Sequence, residues 1–250
     1  MSILDAIIQG IVQGLTEFLP VSSSGHLAIT QHILGAGTGE SNLFFNVMLH
    51  VGTLVAVVAF YHKLVWDLIK EFFLMLKDIF TGKFKWSKMN YNRNLVVMLI
   101  IGLIPLFLLF LPIPGTDMKL KDLADQLSAS PVLIVTACSL ILTSVLLTIG
   151  IICNRKSVAS THKHLATKSN AKATRDNFNV VDAILVGVTQ VCAALLPGLS
   201  RSGSTLSVGE MRGISKQKAL DYTCVLGIAS ILAGALLVGV DAIESQEVLI

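Results

Sequence analysis

The stretch Asp5-Ala-Ile-Ile-Gln-Gly-Ile-Val-Gln13 returns later in the chain as Asp182-Ala-Ile-Leu-Val-Gly-Val-Thr-Gln190, at a constant offset of 177 positions. In both copies the apolar run meets a Leu-Pro pair, Leu19-Pro20 and Leu196-Pro197, and then a polar stretch of Ser and Gly. Carried on without a gap, the alignment sets Ser23 opposite Ser200. Proline ends a helix by removing a donor and clashing with the preceding turn. Residues 3–34 and 180–214 therefore each read as a helix, a polar break and a second helix.

Composition decides where such segments sit. Of 250 residues, 53% are hydrophobic and only 14% are charged, with a mean hydropathy of +0.74. Soluble domains carry about 25% charged residues, so too little charge is present to cover a water-facing surface. An ordinary soluble enzyme, a disordered chain and a disulfide scaffold are excluded. The four cysteines (Cys138, Cys153, Cys192, Cys224) stand singly in apolar segments and read as small core hydrophobes. Residues 1–19 lack a positive n-region, so no cleaved signal peptide is expected. Nucleic-acid binding would need a basic face with interleaved aromatics; here the cations instead fall in blocks between apolar runs.

Four runs are long enough to cross a bilayer: 44–61, 95–114, 131–153 and 221–240. Residues 63–94 hold seven Lys or Arg and 154–179 hold six, which places both on the cytoplasmic side. The weakly charged 115–130 and the cation-free first 43 residues then lie outside. With that topology, 3–34 and 180–214 must return to the side they enter from, as re-entrant hairpins. Irregular backbone at membrane depth is tolerated only where protein or a water-filled cavity surrounds it. The fold class expected is thus all-α and polytopic, an inverted-topology repeat with two re-entrant helix-loop-helix hairpins and at least four transmembrane helices. The first repeat covers 1–153, a basic linker of disordered composition covers 154–179, and the second repeat covers 180–250. Copy two offers one span where copy one offers three, so two further spans are expected beyond Ile250. Inverted repeats with paired broken helices place their site where the breaks meet.

The first break runs Gln13-Gly-Leu-Thr-Glu17-Phe-Leu-Pro-Val-Ser22-Ser23-Ser24-Gly25-His26. Gln13 and Glu17 share one helix face, and Glu17 is the lone acid between Asp5 and Glu40. An ionisable group at such depth is costly and by default functional; the plainer reading is a carboxylate that pairs with Arg201 to brace the hairpins. His26, beside three hydroxyls and a carboxylate, reads as a general acid or base, with a hydroxyl–imidazole pair to Ser23 within reach. The second break runs Pro197-Gly-Leu-Ser200-Arg201-Ser202-Gly203-Ser204-Thr205. A guanidinium among hydroxyls, at a Gly-containing turn that opens a helix, suits a phosphate oxyanion. Its plainer reading is a topology-setting arginine. His32, His50 and His62 read as core or interface residues, although Asn46 and His50, one turn apart, can line the cavity. His162 and His164 fall in the basic linker.

These motifs resemble the bacitracin-resistance family of undecaprenyl-diphosphatases. The family carries an E/Q-x-x-x-E pair followed by F-L-P-V-S-S-[ST]-G-H, matched from Gln13 to His26, and P-G-x-S-R-S-G-x-T, matched from Pro197 to Thr205. Phe45-Asn-Val-Met-Leu-His-Val-Gly52-Thr53 is similar to the family as well. The resemblance implies hydrolysis of undecaprenyl diphosphate to the monophosphate carrier lipid of cell-wall synthesis. It also implies bacitracin resistance, a bacterial plasma-membrane location, an active site facing the extracytoplasmic side and six spans in the complete fold. By the same resemblance Glu17, Ser23, His26 and Arg201 are catalytic, and Ser22, Ser24, Gly25, Ser200, Ser202, Gly203 and Thr205 bind substrate. Glu17 and Gln13 would hold a divalent cation, Mg²⁺ or Ca²⁺, and self-association into a homodimer stays open. Gln13 stands where the family more often has glutamate, and Glu210 and Arg212 stand where it is usually small or apolar. A second class of lipid phosphatase carries P-S-G-H and S-R-x5-H, but residues 206–208 here are Leu, Ser and Val, without the required histidine. The rival from a different class is an inverted-repeat secondary transporter or lipid flippase. It would not need a Ser-His-Glu cluster facing an arginine.

Overall fold

The computed structural model describes residues 2–35, 40–86, 89–113, 115, 116, 118–129, 133–167 and 175–247. Side chains at 18, 40–44, 125, 128, 129, 156–167 and 235–247 lie outside the description. The chain forms α1 (Ile3–Phe18), α2 (Ser23–Ile33), α3 (Glu40–Phe60), α4 (His62–Phe80), α5 (Tyr91–Leu103), α6 (Leu120–Ala129), α7 (Leu133–Thr167), α8 (Val180–Leu195), α9 (Arg201–Met211) and α10 (Lys216–Glu247). After α5 the chain tightens into 3₁₀ pitch over Ile104–Phe110, where Pro105 can donate no backbone bond.

Both hairpins exist as helix, break and helix, and their starts share one cap. Ser2 accepts from Asp5 N–H while Asp5 answers the Ser2 N–H; Asn179 and Asp182 repeat the reciprocal pair. Such a capping box satisfies two of the donors that a helix start leaves open. α1 and α8 both run 16 residues and α2 and α9 both run 11. The gapless register, however, fails at the break. Ser22 caps α2 and Ser200 caps α9, so copy two holds one extra residue between proline and cap. Gly198, at φ +87°, gives this insertion its left-handed turn. Ser23 therefore lies opposite Arg201 rather than Ser200.

The core lies around the second hairpin. Leu95, Met98 and Leu99 of α5 pack with Ala183 and Val186 of α8, Leu206 of α9 and Tyr222, Val225 and Leu226 of α10. Tyr222 donates to the Met98 carbonyl at 2.7 Å and stacks on Phe178 at 4.1 Å between centroids. At the base of this hairpin Asp182, fully buried, takes Arg212 Nε at 2.7 Å and Arg175 Nη2 at 3.0 Å. Arg212, out of place by family pattern, thus has a fixed partner. α7 packs along α9, and α3 packs on α10.

Several expectations are corrected. Residues 63–94 are not a plain loop: α4 fills 62–80, bent 84° from α3. Residues 115–130 contain α6. The span expected over 95–114 covers Tyr91–Phe110, and the one over 131–153 lies in α7, which continues to Thr167 through half of the supposedly disordered linker. No Pro or Gly interrupts 154–167, and once nucleated a helix gains one bond for each residue added. Residues 168–174 lie outside the described ones. α10 covers 221–240. Cys138 and Cys192 are exposed rather than core residues; a chain solvated by lipid needs no polar side chain there.

Candidate active site

The two breaks touch. A Cβ built on Gly203 would stand 2.5 Å from the Pro20 carbonyl oxygen, and one on Gly25 would stand 3.3 Å from Gly198 Cα. The approach therefore needs residues without side chains at both crossings. Each second half-helix opens on a serine cap: Gly25 N–H donates to Ser22 Oγ at 3.2 Å and Gly203 N–H to Ser200 Oγ at 3.0 Å. In each, the cap oxygen also stands 3.4 Å from the hydroxyl two residues on, Ser24 or Ser202. Ser22 holds φ +74°, which is rare for a residue with a side chain and is kept only where the surroundings fix it. Thr143 of α7 fixes the second break by accepting from Ser200 N–H at 3.0 Å.

The position after each cap carries the chemistry. In copy one it is Ser23, whose hydroxyl donates to Glu17 Oε2 at 2.6 Å. The same oxygen accepts from Gln13 Nε2 at 2.9 Å and lies 3.9 Å from His50 Nε2. In copy two it is Arg201, whose Nη1 donates to Ser230 Oγ on α10 at 2.7 Å. Glu17 and Arg201 attract one another electrostatically. Among the described residues, however, no ion pair within 4.0 Å joins them. The hairpin-bracing salt bridge is thus not formed, and most of the five-donor guanidinium fork stays available to an anion.

His26 does not pair with Ser23. Its Nδ1 lies 2.8 Å from the Ser22 carbonyl oxygen; a carbonyl only accepts, so Nδ1 carries the proton and Nε2 of the neutral ring keeps a lone pair. His50 is held likewise through Asn46 O at 2.7 Å, which points its Nε2 at Glu17. Ser22, Ser200 and Thr205 are buried and engaged internally, Thr205 to the Arg201 carbonyl at 2.8 Å and to Thr223 at 3.3 Å. Ser24 is exposed. Ser230 on the guanidinium and Thr143 at the second cap are the site residues outside the sequence motifs, whereas His50, at the carboxylate, belongs to the Phe45–Thr53 stretch and takes the cavity-lining place expected of it.

Gln13 is fully buried, and among the described residues its Oε1 has no hydrogen-bond partner. Carboxylate, amide oxygen and hydroxyl form a hard oxygen set of the kind Mg²⁺ and Ca²⁺ take. Glu17, Gln13 and Ser23 fit a divalent cation in donor chemistry. Among the described residues no group of three His, Cys, Asp or Glu could hold one.

Fold and site together define an all-α polytopic membrane protein whose site is built from two interlocked helix-break-helix hairpins. A family model described as Bacitracin resistance protein BacA matches residues 6–249. An undecaprenyl-diphosphatase of Alkaliphilus metalliredigens is 37% identical over 245 residues, 98% of this chain and 79% of the relative. One from Bacteroides thetaiotaomicron is 34% identical over 249 residues, covering 99% and 79%. One from Methanobrevibacter smithii is 37% identical over 235 residues, covering 93% and 74%. The chain belongs to the bacitracin resistance protein BacA family.

Proposed function

We propose that this chain is an undecaprenyl-diphosphatase, hydrolysing the lipid diphosphate to lipid monophosphate and inorganic phosphate at the crossing of the two hairpins. The observation that carries the reading is the Ser23 hydroxyl held at 2.6 Å on Glu17, with Arg201 at the equivalent position of the other repeat. Its support is the full-length similarity to relatives that bear that name.

Phosphoryl transfer depends on positioning and charge neutralisation more than on covalent chemistry. Arg201, oriented by Ser230, takes the non-bridging oxygens of the terminal phosphate, together with the amides that open α2 and α9. Glu17 draws the Ser23 proton, and Ser23 Oγ attacks the terminal phosphorus as the bridging P–O bond breaks and the lipid monophosphate leaves. Water then opens the phosphoserine, giving its proton to His26 Nε2, and Ser23 regains its own from Glu17. A divalent cation held by Glu17, Gln13 and Ser23 would add charge neutralisation to the diphosphate. The family resemblance supports a bacterial plasma-membrane location with the site open to the extracytoplasmic side, and the distribution of Lys and Arg supports that sidedness.

The test is phosphate release from undecaprenyl diphosphate by purified protein, with and without Mg²⁺ or Ca²⁺. Turnover abolished in Ser23→Ala is the expected result. Full turnover of that variant with retained fold would overturn the serine mechanism, and a wild-type protein inert with either metal would overturn the function.

A further inference from the structure

The basic segment after α3 is a helix with sorted faces. Leu68 and Met75 of α4 are buried against α5, and the acids beside them, Glu71 and Asp78, are held by Arg93 at 3.1 and 2.7 Å. Asn90 adds a bond to Glu71 at 2.6 Å. The opposite side carries two parallel rows at seven-residue spacing: Trp66, Phe73 and Phe80, exposed by 58, 63 and 86%, and beside them Lys63, Lys70 and Lys77. Lys70 Nζ stands 5.4 Å from the Trp66 ring centroid. Within the protein nothing in the description covers this side.

The bend fixes where that side faces. α4 departs from α3 at 84°; with α3 crossing the bilayer as the span expected over 44–61, α4 lies nearly parallel to the bilayer. Amphipathic helices with aromatics on one face and lysines along its edge rest in the interface, rings among upper acyl chains and ammonium groups at the phosphates. Seven residues of helix rise about 10.5 Å, so the three lysines reach separate lipid headgroups. Of the acids on α4, Glu71 and Asp78 are taken by Arg93, and the exposed Asp67 stands 3.9 Å from Lys70, so the three lysines keep a net positive charge.

We propose that α4 is an anionic-lipid docking helix, whose Lys63–Lys70–Lys77 row binds phosphate headgroups and whose Trp66–Phe73–Phe80 row enters the same leaflet. That α4 lies along the bilayer rests on α3 as a span, and the choice of the cytoplasmic leaflet rests on the topology proposed above; neither rests on the phosphatase reading.

The test reconstitutes the full chain in vesicles of phosphatidylcholine with or without phosphatidylglycerol. A Trp86→Phe background leaves Trp66 as the sole tryptophan. Trp66 should be quenched by shallow brominated acyl chains and be shielded from iodide. Replacing the three lysines by Gln should lower phosphatidylglycerol enrichment around the protein about fivefold per lysine, at roughly 1 kcal/mol for each charge. The Lys→Arg triple variant should retain it, which separates charge from folding. Trp66 open to iodide and untouched by bromolipid overturns the proposal, as does undiminished enrichment in a folded Gln variant. Shielding from both quenchers in a dimer overturns it in favour of a contact between copies. No outcome depends on phosphate release, so failure here leaves the enzymatic reading standing.

Discussion

Gly203 lies against the carbonyl oxygen of Pro20, so the first turn of α9 is seated on the break that separates α1 from α2. A methyl group there would stand 2.5 Å from backbone oxygen, which has no rotamer to escape through. Gly203→Ala should force the hairpins apart and cost about 1–3 kcal/mol, the range for overpacking. Thermal unfolding in detergent measures the stability, and phosphate release should fall as Ser23 and Arg201 separate. A variant with wild-type unfolding temperature and turnover would show that the contact yields freely.

The base of the second hairpin gives a prediction without chemistry in it. Asp182 is fully buried and charged toward two arginines, Arg175 and Arg212. Asp182→Asn keeps the shape and removes the charge; its one oxygen still accepts from Arg212, while the NH₂ in place of the other oxygen meets the N–H donors of Arg175 and Asn179. The expected loss is about 2 kcal/mol, with the catalytic rate of the folded protein unchanged. A drop in rate at full stability would place Asp182 in the catalytic machinery instead.

The hairpins were legible because proline and glycine punctuate a helix wherever they fall, and the repeat doubled the signal. The register slip was not. Alignment anchored on Leu-Pro hid the match of Ser22-Ser23-Ser24-Gly25 to Ser200-Arg201-Ser202-Gly203, a tetrad in which the cap and its glycine carry the structure. α4 was missed because its cations were counted as loop charge, while its 3.6-residue order carried the helix. Nothing in the sequence paired His50 of the Phe45–Thr53 stretch with Glu17, or Ser230 with Arg201. Only packing brings α3 to Glu17 and α10 to Arg201.

Glu17 is a single carboxylate oxygen receiving two donors, Gln13 and Ser23. Glu17→Gln can still accept both bonds but cannot take a proton. Turnover should drop about 10²–10⁴-fold, the usual cost of losing an acid–base group, with little change in unfolding temperature. If activity and fold vanish together, the carboxylate is a structural element of the hairpin crossing.

Gln13 tests the metal. Its Nε2 donates to Glu17 at 2.9 Å, and among the described residues its buried Oε1 has no partner. Gln13→Glu adds a second charge to the oxygen set, so half-maximal activity should need less Mg²⁺ or Ca²⁺. Without metal, two neighbouring carboxylates repel each other in a buried site, and the variant should unfold at lower temperature than the parent. Added cation should restore or exceed the parental value. Metal titrations of activity and of thermal unfolding that match the parent would remove Gln13 from the ligand set.

Arg201 and Ser230 form the last test, because one acts through the other. Arg201→Lys keeps the charge but loses the planar fork that binds two phosphate oxygens together, so both binding and turnover should suffer. Ser230→Ala leaves Arg201 in place and removes the bond that aims it. A bond to a charged group contributes about 1.5–3 kcal/mol, partly recovered when the guanidinium binds substrate, so KM should rise about tenfold while kcat changes little. Ser230→Thr keeps the hydroxyl and should restore KM, which a loss of packing alone would not explain. If Ser230→Ala instead lowers kcat at constant KM, the hydroxyl serves the transition state directly. If neither parameter moves, Arg201 finds its orientation without α10.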